Sequence, residues 1–391
     1  MAPTIFFILL TIQIYILTNT KPCNGSTLVT KFSTLLIFGD STVDTGNNNY
    51  IKSLMKSNHR PYSQDFPGQV TTGRFSNGKL VPDFVATMLG IKDIVPPFLD
   101  PNLSDEELRT GVSFASAGSG YDDVTSDVTL SIPVSKQPGY LRSYVERLKE
   151  SLGEKEAMNI TNGALVIVSA GTNDFVFNFY DIPTSRITFN ISEYHDFVLN
   201  NLQKFVQKLY KIGCRTMVVA GLPPIGCIPI QMIAKLEIHR KCIDHHNSDA
   251  QSYNAKLSNL LPQLQSSLPR SKIIYADIYT PLDDMMKNPQ KYGLNETRKG
   301  CCGSGLIEAA FFCSPITPVC HPASNHLFWD SVHPSESDYN HLSQSLAANH
   351  WPTLLNQSIT PTLFDSFSVY IPGISFFFLL FFAKIFIRFA R

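Results

Sequence analysis

The chain has 391 residues, 43% of them apolar, and its 32 basic residues balance its 32 acidic ones. That length holds one large domain or two small ones, and the apolar share suffices for a sizeable core. The even charge argues against a nucleic-acid partner, which asks for a basic excess, and leaves small-molecule chemistry open.

In chain order, the first segment is a largely apolar run that turns polar at Thr18. This is the pattern of a secretory signal peptide, expected over about residues 1–25 with cleavage between residues 20 and 26; an uncleaved anchor is the alternative. Five short, nearly continuous apolar runs follow at 35–38, 111–114, 164–169, 216–221 and 272–277. Such runs suit strands buried on both faces, and each leads into a turn rich in Gly, Asn, Asp or Pro. Between them, 138–157, 194–209 and 255–268 repeat apolar residues at spacings of three and four, the period of a half-buried helix. Strands alternating with helices predict right-handed crossovers and an α/β fold. The expectation is a three-layer α/β/α sandwich around a parallel sheet of about five strands, in one domain over about residues 30–355.

In such sheets the reactive groups gather beyond the carboxyl ends of the strands. Ser41 follows the first predicted strand, Gly118 the second and Asn173 the third, so topology alone brings all three to one edge. Far downstream, Asp330 and His333 stand three apart, on one side of a helical turn or tight loop. The pocket is expected to draw on the loops 50–66 and 175–181.

The cysteines fit an oxidising compartment. Cys227 and Cys242 are spaced to close a short loop. Cys301, Cys302, Cys313 and Cys320 are expected to form two more bridges, with three pairings open. Cys214 reads as a buried free thiol, and Cys23 falls within the leader. Zinc is disfavoured because adjacent Cys301 and Cys302 lack the spacing of a zinc knuckle, and His239, His245 and His246 have no third ligand suitably placed. No metal and no cofactor are expected. Glycosylation sequons begin at Asn24, Asn102, Asn159, Asn190, Asn295 and Asn356. After about residue 366 the chain ends in an apolar stretch, 367–383, with basic residues behind it. This segment, 366–391, reads either as a membrane anchor or as an apolar tail.

Four ordered blocks carry a resemblance to a known family. They are Phe38-Gly39-Asp40-Ser41 continuing to Asn49, the run from Gly111 to Gly120, Gly171-Thr172-Asn173-Asp174, and Asp330-Ser331-Val332-His333. Thr72 to Gly78 and Gly221 to Cys227 add to them. Over about residues 35–350 the chain resembles a plant GDSL esterase/lipase of the SGNH-hydrolase superfamily, whose sheet is flavodoxin-like. The resemblance implies that Ser41 is the nucleophile, activated by His333 as base, with Asp330 orienting the imidazole. It further implies an oxyanion hole made by the backbone N–H groups of Ser41 and Gly118 and the side-chain amide of Asn173. Thr42 replaces the family's name-giving leucine, Ser113 stands where asparagine is common, and Ala117 where some relatives have glycine. Asp40 and Asp44 are read as loop-forming. The Gly-x-Ser-x-Gly motif of the nucleophile-elbow hydrolases is absent from the sequence.

The expected function is secreted ester hydrolysis through an acyl-enzyme, on acyl lipids or related small esters. The alternatives are a deacetylase acting on wall polysaccharide, a catalytically silent apoplastic binding protein, and a form of the esterase tethered to a membrane by its C-terminal segment.

Overall fold

The computed structural model describes residues 32–182, 184–233 and 240–355. The leader, Cys23, Asn24, His239, Asn356 and the apolar C-terminal segment lie outside the described residues. By contact density the chain divides into two units, Met1–Ala347 and Ala348–Arg391; all that follows concerns the first.

Four parallel strands form the central sheet in the order β1 (Leu35–Gly39), β2 (Leu165–Ser169), β3 (Thr216–Ala220) and β4 (Lys272–Ala276). The register pairs Leu35 with Leu165, Leu165 with Thr216, and Thr216 with Lys272. β1 is buried throughout, because helices leave neither of its faces to water. Leu36, Phe38, Val166, Val168, Met217 and Val219 of the sheet share one apolar cluster with three helices. These are α1 (Gln137–Leu152), α2 (Ile191–Ile212) and α3 (Asp244–Ser267). The architecture is the three-layer α/β fold that the alternation of strands and helices predicts. Among the described residues no helix is long and apolar enough to cross a membrane.

Three elements differ from their sequence-based expectation. The run 111–114 lies beside β1, with Ile37 N donating to Val112 O and Phe114 N to Ile37 O. It bridges at Ser113 alone, because its far side pairs with the loop at Pro96 and Phe98 instead of with another strand. The helix predicted over 138–157 is two helices, α1 and Glu154–Gly163, because Gly153 turns the chain at φ +83°. The helix predicted over 255–268 is the second half of α3, whose polar first half hides the period. A small second sheet, Glu296–Gly300 against His326–Phe328, has no apolar run to announce it.

The loops beyond the carboxyl ends of the strands are stitched together by buried polar side chains. At the end of β1, Gly39 donates its N–H to Gln137 Oε1 and accepts from Gln137 Nε2. A Cβ there would lie 1.8 Å from Ser169 O, so the close approach of β2 requires glycine. Asn47 Nδ2 donates to Ser113 O and Ala115 O, and Asn48 Nδ2 to Met55 O and Ala117 O. Asp44 accepts from Gly46 N, Asn47 N and Ala117 N. Ser113 takes part through its hydroxyl, which donates to Val43 O. Asp174 accepts from Tyr121 N, Asp122 N and the Thr125 hydroxyl, tying the 118–125 turn to the loop after β2. Arg74, fully buried, grips both oxygens of Asp83 and also donates to Thr45 O and Val95 O.

Two outcomes follow from this stitching. Arg74→Leu leaves Asp83 without its buried counter-charge and is expected to lower the unfolding free energy by about 3–5 kcal/mol. Urea denaturation measures this, and a loss under roughly 1 kcal/mol, the level of a surface pair, would contradict it. The second outcome concerns pH. Burial pushes Asp40 and Asp44 up to about 6, and Asp174 and Asp338 up to about 7. A raised carboxyl favours the fold while it is neutral. That contribution is complete below the unfolded range near pH ~4 and is lost as pH rises through about 6 to 7. The urea midpoint is therefore expected to be higher at about pH 5 than at about pH 8; a midpoint that climbs between them would contradict the assignment.

Candidate active site

Ser41 is the second residue past β1, in a turn closed by the N–H groups of Val43 and Asp44 on Asp40 O. The Asp40 carboxyl receives the N–H and hydroxyl of Thr42, which holds this turn in place. Thr42, at the leucine position, also meets the Ser169 hydroxyl at 3.0 Å and so links the turn to β2. Asp330 and His333 follow the short strand His326–Phe328 in a turn of their own. Asp330 Oδ1 accepts the N–H of Val332 at 2.8 Å and of His333 at 2.7 Å.

These two turns meet. Ser41 Oγ stands 2.8 Å from His333 Nε2, across 292 positions of sequence. His333 Nδ1 lies 2.9 and 2.8 Å from the two oxygens of Asp330. With Nδ1–H donating to the carboxylate, Nε2 is free to accept the serine proton, the tautomer that a base needs. Asp330 and His333 are almost wholly buried, and Ser41 is 5% exposed. Phe75 covers the imidazole, ring centres 4.7 Å apart.

The three residues expected to face an oxyanion lie on the same edge. Among the described residues the backbone N–H groups of Ser41 and Gly118 have no hydrogen-bond acceptor. Asn173 Nδ2 spends one hydrogen on Ser119 O at 2.9 Å, which orients the amide and leaves the other hydrogen available. Gly118 has φ +86°, and a Cβ on it would strike Met55 and Thr129.

Ser41, Asn173 and His333 open into a cavity of about 220 Å³. Among the described residues no Asp, Glu, Lys or Arg lines it. Met55 comes from the expected loop 50–66, and Phe177 and Asn178 from the expected loop 175–181, which forms a π-helix over Asp174–Asp181. Thr125, Val128 and Thr129 add one wall, and Ile307, Ala310, Phe311 and Phe312 another. Neither wall was expected from the sequence. The adjacent pair Phe311-Phe312 beside Cys313 was the one signal available in the sequence.

That second wall is a disulfide-closed segment. Cys302 pairs with Cys313, Cys301 with Cys320, and Cys227 with Cys242, which settles the pairing left open above. Cys214 is a buried free thiol that burial pushes up to about 12. Among the described residues one trio, Cys301, Cys320 and His326, has metal-ligand spacing. Its two sulfurs are bonded to each other and offer no thiolate. His246 stacks on Tyr180 at 3.5 Å and packs edge-on against His245. Asn102, Asn159, Asn190 and Asn295 are all exposed. Asn190 also caps α2, its side-chain oxygen accepting from Glu193 N.

A family profile described as GDSL-like Lipase/Acylhydrolase matches residues 35–346. Three relatives from Arabidopsis thaliana show the extent of the likeness. GDSL esterase/lipase At2g31540 is 52% identical over 338 residues, covering 85% of this chain and 94% of the relative. GDSL esterase/lipase At2g31550 is 54% identical over 318 residues, 81% of this chain and 88% of the relative. GDSL esterase/lipase At1g06990 is 52% identical over 345 residues, 88% of this chain and 96% of the relative. The chain belongs to the GDSL lipase/acylhydrolase family and is a carboxylic ester hydrolase.

Proposed function

We propose that the chain is a secreted serine esterase that cleaves acyl esters through an acyl-enzyme on Ser41. The observation that carries this reading is the continuous contact from Ser41 Oγ through His333 to Asp330. His333 Nε2 takes the proton of the Ser41 hydroxyl as Oγ bonds to the ester carbon. Asp330 holds the imidazole in the required tautomer and stabilises its cation. The carbonyl oxygen gains charge and is met by the N–H groups of Ser41 and Gly118 and the amide of Asn173. His333 then gives its proton to the leaving alkoxide. Water, deprotonated by the same imidazole, attacks the acyl carbon and restores Ser41.

The cavity supports an acyl group as the part recognised, because its lining among the described residues holds no fixed charge and is largely Phe, Ile, Val, Ala and Met. At about 220 Å³ it falls below the ~300–1,000 Å³ of most ligand pockets, which favours a short acyl chain. That lining speaks for acyl lipids or simple esters over acetylated glycans. Three disulfides and four exposed sequons support passage through an oxidising, glycosylating compartment, with a cleaved leader over about residues 1–25. The hydrolase domain is taken to occupy about residues 30–355.

Ser41→Ala is expected to reduce hydrolysis of p-nitrophenyl butyrate by about 10⁴-fold or more, with the thermal unfolding curve unchanged. Residual turnover within tenfold of wild type would overturn the reading. Across p-nitrophenyl esters of increasing length, each newly buried methylene contributes ~0.8 kcal/mol, about fourfold in kcat/KM. The series is expected to rise through butyrate to hexanoate and then fall. A steady climb to palmitate would contradict a cavity of this size.

A further inference from the structure

Tyr62 is fully buried, and its hydroxyl stands between two groups far apart in the chain. It donates to Asp330 Oδ2 at 2.7 Å and accepts the backbone N–H of Ala310 at 2.9 Å. Burial, and then the neighbouring Asp330, hold the phenol well above its ordinary range, so the hydroxyl remains a donor. The ring is clamped edge-on by Phe75 at 5.6 Å and Trp329 at 6.3 Å. Ala310 lies in the segment closed by Cys302–Cys313 and lines the cavity. One hydroxyl thus joins the cavity wall to the carboxylate beneath His333.

The two oxygens of Asp330 are held differently. Oδ1 is fixed by two N–H groups of its own turn and Oδ2 by Tyr62, while His333 Nδ1 lies 2.9 and 2.8 Å from the two. Two other titratable groups face the pair. Asp40 interacts with His333 from the end of β1, and Tyr339 faces Asp330 from the helix Glu336–Leu355. The Tyr339 hydroxyl has no hydrogen-bond partner among the described residues. Tyr62 is therefore the one hydroxyl among them that donates to this carboxylate.

Granting the roles proposed above for Ser41, His333 and Asp330, we propose that Tyr62 is a positioning residue for ester hydrolysis. It fixes the rotation of the Asp330 carboxylate and withdraws part of its charge, and through Ala310 it makes both depend on the disulfide-closed wall. Without the phenol, Oδ2 keeps its full charge toward the imidazole. The imidazolium is then favoured, and His333 stays protonated to higher pH, where it is useless as a base. A merely space-filling ring would have no such effect.

The test uses the full chain with p-nitrophenyl butyrate and a fluorophosphonate probe. In Tyr62→Phe, kcat is expected to fall about tenfold or more with KM within about twofold, as befits the loss of a hydrogen bond to a charged group. The acid limb of kcat/KM is expected to move to higher pH by about half a unit or more. The fluorophosphonate adduct should still be found on Ser41 by peptide mass. If the adduct is on Ser41 but the acid limb and kcat match wild type, the role of Tyr62 is refuted while the serine mechanism stands. If wild type itself carries no adduct on Ser41, the underlying mechanism fails. Should Tyr62→Phe not fold, 3-fluorotyrosine placed at position 62 keeps the shape with a stronger donor. It is expected to move the acid limb to lower pH, and an unmoved limb refutes the proposal.

Discussion

The structure turns on one buried contact, the 2.8 Å approach of the Ser41 hydroxyl to His333 Nε2. Two turns from opposite ends of the chain must arrive within tenths of an ångström, although neither belongs to regular secondary structure. The sheet supplies a rigid base, because β1 is buried on both faces and pinned at its end by Gln137. The loops are then located by buried polar side chains whose partners are mostly backbone groups: Asp44, Asn47, Asn48, Asp174 and Arg74. A buried polar group is costly without a partner and specific with one, so such ties set geometry rather than merely add stability.

The same economy explains the raised carboxyls. Asp40, Asp44 and Asp174 lie in or beside the motif loops, each receiving two or three hydrogen bonds. Burial nevertheless raises all three, because removal from water outweighs those bonds. The loop geometry is thereby coupled to pH in the mildly acidic range. The cavity wall depends on covalent constraint instead: the segment carrying Phe311 and Phe312 has both rings exposed and is closed by Cys302–Cys313. Exposed rings bring little burial to hold a loop, and a cross-link limits the freedom it would otherwise have.

Much of the fold was legible because a strand buried on both faces must be apolar throughout, and four such runs became strands. The fifth, at 111–114, was misjudged because what lies beyond Ser113 is a loop, and no local pattern encodes that neighbour. Gly153 was a visible helix stop that periodicity on either side concealed. For the site, Ser41, Asn173, Asp330 and His333 could be named from motif order, and the structure brings them together. Tyr62 could not: its partner is 268 positions away, and nothing around it in sequence marks it. Asp174 was in view within its motif, but its tie to the 118–125 turn was not legible, since its three partners lie some fifty positions earlier. Disulfide pairing likewise needed coordinates, because adjacent Cys301 and Cys302 are equivalent in any pattern of spacing.

The central claim is that the Ser41 hydroxyl forms a bond to the acyl carbon during turnover. The most direct measurement is an acid quench during turnover of p-nitrophenyl butyrate, followed by peptide mass analysis. The account predicts a butyryl group on the peptide containing Ser41, formed as p-nitrophenol is released in a burst equal to the enzyme present. Acyl transfer to any other residue, or turnover with no burst and no acylated peptide, would contradict it.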